Sequence, residues 1–131
     1  MTDPFPRDYF YDRHGQPITY DEYSNLKYQT PGYRRIGSDQ IGKSWVSTVW
    51  LGFDHGYSRT GPPIIFETMV FGGPMDGEVW RYSHEAEAAA GHLVVVELVR
   101  AMKPKHGQVK RERDQRRHEM KMRIRELAHG R

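Results

Sequence analysis

The chain has 131 residues and a mass of 15.4 kDa, the size of one compact domain with a short appendage. It contains no cysteine, which excludes disulfide frameworks, thiol nucleophiles and cysteine-based zinc sites. Its formal charge of +3 is unevenly spread: residues 1–102 carry 9 Lys/Arg and 13 Asp/Glu, a net of −4, whereas residues 103–131 carry 11 and 4, a net of +7. We therefore predict a core domain over residues 1–102 and a basic helical extension over residues 103–131.

The first third of the chain is rich in aromatic residues and begins with a predicted β-hairpin. A turn signal at residues 12–15 joins strands expected at 9–11 and 16–18, because Asp favours the first turn position and Gly accepts a positive φ. Thr19 and Glu22 have the spacing of a capping box. A short helix should therefore start there and end before the following Pro-Gly pair.

The centre of the chain is predicted to form a β-meander. Residues 43–53, 63–71 and 78–82 are dense in β-branched and aromatic residues. The connections between them are short, which favours antiparallel neighbours in a sheet of three or four strands. Both faces of the 63–71 strand carry large apolar groups, since alternate side chains point to opposite sides. We expect a helix to cover one face, and the N-terminal segment or a second subunit to cover the other.

Two helices are predicted to follow the sheet. The first begins at Ser83 or His84 and runs to about Met102. Gly91 lowers its intrinsic stability, which close packing on the sheet would explain. A second, highly charged helix is expected over residues 108–128, with a thin apolar seam in its last turns. The core-facing stripe of the first helix is predicted at His92, Val95, Val96, Val99 and Met102.

Taken together, these elements predict an α+β fold. A small antiparallel β-meander of three to four strands is packed by one main helix. An N-terminal hairpin and short helix precede it, and a basic C-terminal helix protrudes from it.

Four sequence blocks carry a resemblance to a known family. They read YDRHGQPI at residues 11–18, STVWLGFDH at 47–55, PPIIFETMVF at 62–71 and RYS at 81–83. In these blocks the chain resembles a group of small proteins encoded by tailed phages and prophages, most of them without an assigned function. The resemblance implies a phage-type accessory protein but no mechanism. His84 stands where that family has a helix-capping Thr, which leaves Ser83 as the expected cap.

Polar and aromatic side chains near the central strands make a candidate ligand pocket. Aromatic rings beside an arginine are typical of sites that hold a planar polar ligand such as a nucleotide. Glu67 lies in mid-strand, where a carboxylate is costly unless it is paired, so an ion pair with Arg81 is the interpretation we favour. The candidate pocket residues are Trp50, Asp54, His55, Glu67, Arg81, Tyr82 and His92.

Catalytic and metal-binding interpretations are weaker. His55 could act as a base oriented by Asp54, but adjacent loop residues do not easily aim at one another, and no catalytic motif is present. The alternative is a loop whose side chains hydrogen-bond to the backbone. His84 and His92 do not share a helix face. We predict no metal, cofactor or catalytic residue, and a core-edge His92 bonded to a strand carbonyl or to Glu67.

The basic extension has three competing interpretations. Its cations could bind nucleic-acid phosphates, or a host or phage protein, or they could form an exposed helix stabilised by (i, i+4) ion pairs. No aromatic base-reading motif accompanies them. The candidate partner-binding residues are Lys110, Arg111, Arg113, Arg116, Arg117, Lys121, Arg123 and Arg125.

These observations favour a non-enzymatic, phage-type accessory protein. We expect it to bind a host or phage protein, or nucleic acid, through its core surface and basic helix. The alternatives are a protein that sequesters a nucleotide-like ligand, and a virion component that contacts packaged nucleic acid. The longest aliphatic run, residues 93–96, is too short for a membrane span, and the first residues lack a signal peptide's apolar segment. A soluble protein of the host cytoplasm is expected, with virion association as an alternative and homo-oligomerisation left open.

Overall fold

The computed structural model describes residues 10–56, 60–102 and 109–129, with side chains in the last range described from 115 to 128. Within these ranges the chain folds into a two-stranded hairpin, a four-stranded antiparallel sheet and three α-helices, which confirms the predicted α+β class. Among the described helices, none is both long and apolar enough to cross a membrane. The elements are β1 (Phe10–Tyr11), β2 (Pro17–Ile18), α1 (Tyr20–Ser24) continued by a π-helical turn (Asn25–Gln29), β3 (Arg35–Ile41), β4 (Ser44–Trp50), β5 (Phe66–Phe71), β6 (Val79–Tyr82), α2 (Glu85–Ala101) and α3 (Val109–His129).

The N-terminal hairpin and helix form where local sequence signals predict them. The Asp12 carboxylate accepts from the backbone N–H groups of His14 and Gln16, both at 2.9 Å, and so closes the turn between β1 and β2. Thr19 caps α1: its hydroxyl accepts from the Glu22 N–H at 3.2 Å, while the Glu22 carboxylate accepts from the Thr19 N–H at 3.1 Å. The predicted capping box is therefore confirmed.

The large sheet is a meander in the order β3-β4-β5-β6, with every neighbouring pair antiparallel. The three strands expected from composition correspond to β4, β5 and β6. β3 is the fourth strand and forms one edge of the sheet. Its ladder with β4 is interrupted by an irregularity between Arg35 and Gly37, a common feature of edge strands.

Helix α2 covers one face of the sheet and contacts all four strands. Most of its predicted stripe is buried, and Met102 is half-buried. Gly91 lies against the Tyr82 ring, so closely that a Cβ at this position would collide with it. Close approach therefore explains a glycine inside the helix. The side chains on this inner face of the sheet are Val46, Thr48, Trp50, Phe66, Thr68, Val70, Trp80 and Tyr82, all buried.

The predicted cap of α2 is wrong by one residue. The helix begins at Glu85 with His84 as N-cap, and the His84 N–H donates to the Glu87 carboxylate at 3.2 Å. Ser83 instead directs its hydroxyl to the Pro62 carbonyl at 3.4 Å. His84 takes the capping position because Glu87 lies three residues beyond it, which is the capping-box spacing.

The basic C-terminal helix is present as α3, but the prediction that it protrudes is wrong for its second half, which packs against α2 and the sheet edge. Met120 and Ile124, two members of the predicted apolar seam, are buried, while Leu127 is exposed. Arg117 donates to the Val79 carbonyl at 3.0 Å. Since Val79 belongs to the edge strand β6, α3 covers part of that edge, a common protection against unwanted strand pairing.

The aromatic N-terminal residues collect around Trp50 at the end of β4. The Trp50 indole N–H donates to the Tyr11 carbonyl at 2.9 Å. The rings of Tyr23 and Tyr33 lie 5.6 and 4.9 Å from the Trp50 ring. The N-terminal segment therefore packs at this end, and within the described ranges no helix or strand packs across the sheet face opposite α2.

An ion pair links the N-terminal turn to α2. We therefore expect the fold to lose stability in acid. Arg13 meets the Glu85 carboxylate through two hydrogen bonds, of 2.8 and 2.7 Å. These bonds hold the pKa of Glu85 below its ordinary value of 4.5. A carboxylate whose pKa is lower in the folded than in the unfolded state stabilises the fold at pH values above the unfolded-state pKa. This stabilisation is lost as the pH falls through the folded-state pKa. The pair is partly exposed, so Glu85→Gln should cost about 0.5–1 kcal/mol at pH 7.

The measurement is urea unfolding of the wild type and Glu85→Gln from pH 7 down to pH 3. We expect the difference between the two free energies of unfolding to shrink below about pH 4.5. Glu97→Gln is the matched control, because Glu97 pairs with Arg123 on a more exposed surface. A Glu85→Gln difference that stays constant over the whole range would contradict the prediction.

Candidate functional site

The predicted ligand pocket does not form, because its residues lie on opposite faces of the sheet. Trp50 and Tyr82 point to the inner face and are 2% and 5% exposed. Glu67 and Arg81 lie on the opposite face of the sheet, away from α2, where the Arg81 Nε donates to the Glu67 carboxylate at 3.0 Å. Arg81 and Tyr82 are successive strand residues, so their side chains project to opposite faces of the sheet. The ion-pair interpretation of Glu67 is confirmed.

Asp54 and His55 organise a loop rather than a reactive pair. The Asp54 carboxylate accepts from the N–H groups of Gly56 at 2.8 Å and Ile64 at 2.9 Å. The His55 Nδ1 lies 3.0 Å from the Phe53 carbonyl, and its ring packs on the Phe53 ring at 4.3 Å. Asp54 therefore does not orient His55, and the loop interpretation fits. Within the described ranges, no three His, Asp or Glu side chains lie close enough to hold a metal ion.

His92 is buried as predicted, but both of its expected partners are wrong. Its Nε2 lies 2.6 Å from the Asp39 carboxylate, and its Nδ1 lies 2.7 Å from the Thr48 hydroxyl. Glu67 is excluded as a partner because it projects from the other face of the sheet. Asp39 takes its place because β3, which composition did not predict, brings it under α2.

These contacts continue into a chain of polar groups that is buried except at Asp39, whose side chain is 46% exposed. The Thr48 and Thr68 hydroxyls are 2.6 Å apart, and the Tyr82 hydroxyl donates to Thr68 at 3.0 Å. Burial raises the pKa of Tyr82 well above its ordinary range, which keeps the hydroxyl protonated as a donor. We call this set, Asp39, His92, Thr48, Thr68 and Tyr82, the polar chain.

One order of donors that satisfies every group of the polar chain begins at Tyr82. With Tyr82 donating to Thr68, each threonine hydroxyl donates onward, and the Nδ1 of His92 accepts the last of these protons. The opposite ring nitrogen then donates to Asp39. Gly37 leaves space for the imidazole ring, since a Cβ at this position would lie 2.6 Å from the ring.

An acid, a histidine and a hydroxyl in sequence have the composition of a hydrolase triad. A nucleophile must reach its substrate, however, and Thr48 is completely buried. Its oxygen is also engaged by Thr68. The polar chain is therefore a structural element of the core.

The exposed polar and aromatic side chains of the sheet lie on the face opposite α2, which we call the open face. Successive strands contribute Ser38 from β3, Trp45, Ser47 and Val49 from β4, and Met69 and Phe71 from β5. A groove of about 330 Å³ runs between this face and the segment that follows α1. We call it the sheet groove, and its chemically distinctive lining residues are Lys27, Tyr28, Arg34, Arg35, Ser38 and Trp45.

Two aromatic rings form a fixed platform on the open face. Trp45 and Phe71 are cross-strand partners with ring centres 5.0 Å apart and planes inclined by 28°. Each is 40% exposed. The Trp45 indole N–H donates to the Ser38 hydroxyl at 2.9 Å, which sets the orientation of the ring. Tyr28, 65% exposed, adds a third ring at the groove.

The sheet groove is also cationic. Lys27, Arg34 and Arg35 line it, and no acidic residue does. Lys27 donates to the Tyr23 hydroxyl at 2.9 Å, and this hydrogen bond raises the pKa of the ammonium. The groove therefore joins fixed positive charge to exposed aromatic surface.

Sequence reasoning missed this surface, although one signal for it was present. Alternation along β4 places Trp45 and Trp50 on opposite faces, so only one of them can lie under the covering helix. The burial of Trp50 by the N-terminal aromatic residues decides which ring remains exposed.

The candidate residues of the basic helix are divided among different roles. Arg116 contacts the Met102 sulfur at 3.7 Å, Arg117 binds the edge of β6, and Arg123 lies 3.1 Å from the Glu97 carboxylate. Lys121 and Arg125 line a cleft beside β6. The side chains of Lys110, Arg111 and Arg113 lie outside the described residues.

Comparison with known proteins gives no match. No family model matches the chain, and neither a curated protein nor a solved structure matches it. The phage-family resemblance stays a prediction.

Proposed function

We propose that this chain is a non-enzymatic binding protein whose partner is single-stranded nucleic acid, bound on the open face of the sheet. The observation that carries the proposal is the pairing of exposed, stacked Trp45 and Phe71 with the acid-free cationic groove beside them. Phage-type accessory proteins, the setting implied by the resemblance, are compatible with such a role.

Stacking favours nucleic acid as the partner. Aromatic side chains bind bases of any sequence through their π-faces, and a positively charged groove follows the backbone. Four-stranded sheets that present aromatic rings on an open face are used in this way by RNA-binding domains. In this chain, Trp45 is held by Ser38 before any ligand arrives, so little side-chain entropy is lost on binding.

Single strands are favoured over duplexes because only unpaired bases can lie flat on these rings. Duplex recognition needs a helix or ribbon that enters a groove, and the open face is a sheet surface. The cations Lys27, Arg34 and Arg35 would meet the phosphates of a strand that crosses β4 and β3.

The test is a titration with single-stranded oligo-dT, followed by tryptophan fluorescence and by anisotropy of a labelled strand. Trp45 is 40% exposed, whereas Trp50 and Trp80 are 2% and 3% exposed. Stacking of a base should therefore quench Trp45 selectively. We expect saturable quenching, and weaker binding of a blunt duplex of the same sequence.

Trp45→Phe is the matched variant, because phenylalanine keeps a ring for stacking but removes the fluorescent reporter. It should retain most of the anisotropy change and lose most of the quenching. No saturable binding, or equal affinity for the duplex, would overturn the proposal. Light scattering that shows a dimer broken by Trp45→Glu would assign the open face to a second copy of the chain instead.

A further inference from the structure

A second cationic site lies between β6 and α3. It is a cleft of about 260 Å³, separate from the sheet groove. Strand β6 supplies one wall, the second half of α3 supplies the other, and Glu87 of α2 also lines it. Its remaining lining residues are Trp80, Arg81, Tyr82, Lys121, Ile124 and Arg125.

The cleft gathers three cations and one carboxylate. Lys121 and Arg125 are four residues apart and so lie on the same face of α3. Within the described ranges neither makes an ion pair. Arg81 uses its Nε for Glu67, which leaves its two terminal nitrogens for another acceptor. Like charges held together are unfavourable, and an anion in the cleft would relieve their repulsion.

Trp80 contributes a largely buried side chain to the cleft wall. Trp80 is 3% exposed, and its indole N–H has no hydrogen-bond partner among the described residues. The Trp80 side chain lines the cleft, so its indole signal should report an anion bound to Lys121 and Arg125.

We propose that the cleft between β6 and α3 binds a phosphate group. Phosphate offers several acceptor oxygens, and guanidinium groups such as Arg81 and Arg125 bind it through paired hydrogen bonds. The phosphate can belong to a nucleic-acid backbone or to a free phosphorylated ligand, and the chemistry of recognition is the same. The site does not depend on stacking at Trp45, so it can be tested independently of the proposed function.

The test is a titration of the full chain with inorganic phosphate, monitored by the indole N–H signals of the three tryptophans in NMR spectra. Trp80→Phe assigns the Trp80 signal. We expect that signal to shift saturably, while the Trp45 and Trp50 signals stay in place. Lys121→Ala with Arg125→Ala should weaken phosphate binding by about tenfold or more, because it removes two charge-assisted hydrogen bonds to the phosphate.

The charge-matched control is Lys43→Ala with Arg100→Ala, which removes two exposed cations that line neither the cleft nor the sheet groove. It should leave the phosphate titration unchanged. The site would be refuted by an unsaturable shift, by an equal response to chloride at the same ionic strength, or by an unaltered response in the Lys121 and Arg125 variant.

A second arm distinguishes the source of the phosphate. With the inorganic-phosphate site established, oligo-dT is titrated into the wild type and into the Lys121 and Arg125 variant. Weaker oligonucleotide binding by the variant supports the cleft as a phosphate site for a nucleic-acid strand. Unchanged oligonucleotide binding supports it as a site for a free phosphorylated ligand. A wild type that binds phosphate but no oligonucleotide refutes only the proposed function.

Discussion

Thr48→Val should lower the free energy of unfolding by about 2–3 kcal/mol, because it leaves two buried partners without their hydrogen bonds. Thr48 is completely buried, and its hydroxyl lies 2.7 Å from the His92 Nδ1 and 2.6 Å from the Thr68 hydroxyl. Valine has nearly the same shape, so the cost comes from unsatisfied polar groups rather than from a cavity. Urea denaturation at pH 7, followed by circular dichroism, measures the difference.

Two companion variants separate the hydroxyl from its surroundings. Thr48→Ser keeps the hydroxyl and loses a methyl group, so it should cost about 1 kcal/mol. Ser47→Ala, on the neighbouring outward-facing position, should change stability by about 0.5 kcal/mol or less. Thr48→Val combined with Thr68→Val should cost less than the sum of the two single changes, since the two hydroxyls bond to one another. A Thr48→Val protein as stable as wild type would show that the polar chain contributes nothing to the fold.

The effect should be large because the polar chain links every strand of the sheet to the covering helix. Its members come from β3, β4, β5, β6 and α2. A register slip of one residue in β4 would turn the Thr48 hydroxyl to the open face. The polar chain thus selects one strand register. It also holds the inward carboxylate of an edge strand, and inward charge is one way to prevent edge-to-edge pairing.

Local chemistry explains which parts of the fold were predictable. The capping box at Thr19 and Glu22, the strand alternation over residues 66–71 and the helical stripe that begins at His92 depend on neighbours within a few residues. Close packing at Gly91 was also predictable, because a glycine in mid-helix needs a compensating contact. These features survive in the folded chain with small shifts in their boundaries.

The remaining features depend on contacts that are distant in sequence. Asp39 meets His92 across 53 residues, and Thr48 meets it across 44. β3 was not predicted because an edge strand needs little apolar surface, and Arg35–Ile41 is largely polar. The predicted ligand pocket failed for a local reason instead: Arg81 and Tyr82 are consecutive strand residues, and strand alternation alone places them on opposite faces. Which face α2 covers is decided only by the whole packed core.

The same alternation divides the sheet between stability and recognition. In β4, Val46, Thr48 and Trp50 point into the core, while Trp45 and Ser47 project to the open face. The polar chain fixes the register of the inner face and therefore also the position of Trp45 opposite Phe71. A substitution on the inner face should alter the open face only if it changes the strand register or unfolds the domain.

Stacking and charge should contribute to oligonucleotide binding in separable ways. Trp45→Ala should weaken oligo-dT binding about tenfold or more, because loss of one aromatic–base stack costs about 1–3 kcal/mol. It should leave the salt dependence unchanged, since it removes no charge. Arg34→Ala with Arg35→Ala should also weaken binding, and it should flatten the plot of log affinity against log salt concentration. For single strands the slope is about −0.7 per phosphate contact, so the loss of two contacts should reduce its magnitude by about 1.4.

The control for these variants removes two arginines from elsewhere on the surface. Arg100→Ala with Arg123→Ala changes the net charge equally, and neither residue lines the sheet groove. This variant should keep nearly the wild-type slope, because only cations in contact with phosphate release counterions from the strand. If it flattened the plot as much as the Arg34 and Arg35 variant does, binding would follow net charge and the groove would have no special role. If Trp45→Ala bound as tightly as wild type, the aromatic platform would have no part in recognition, and the affinity would be electrostatic alone.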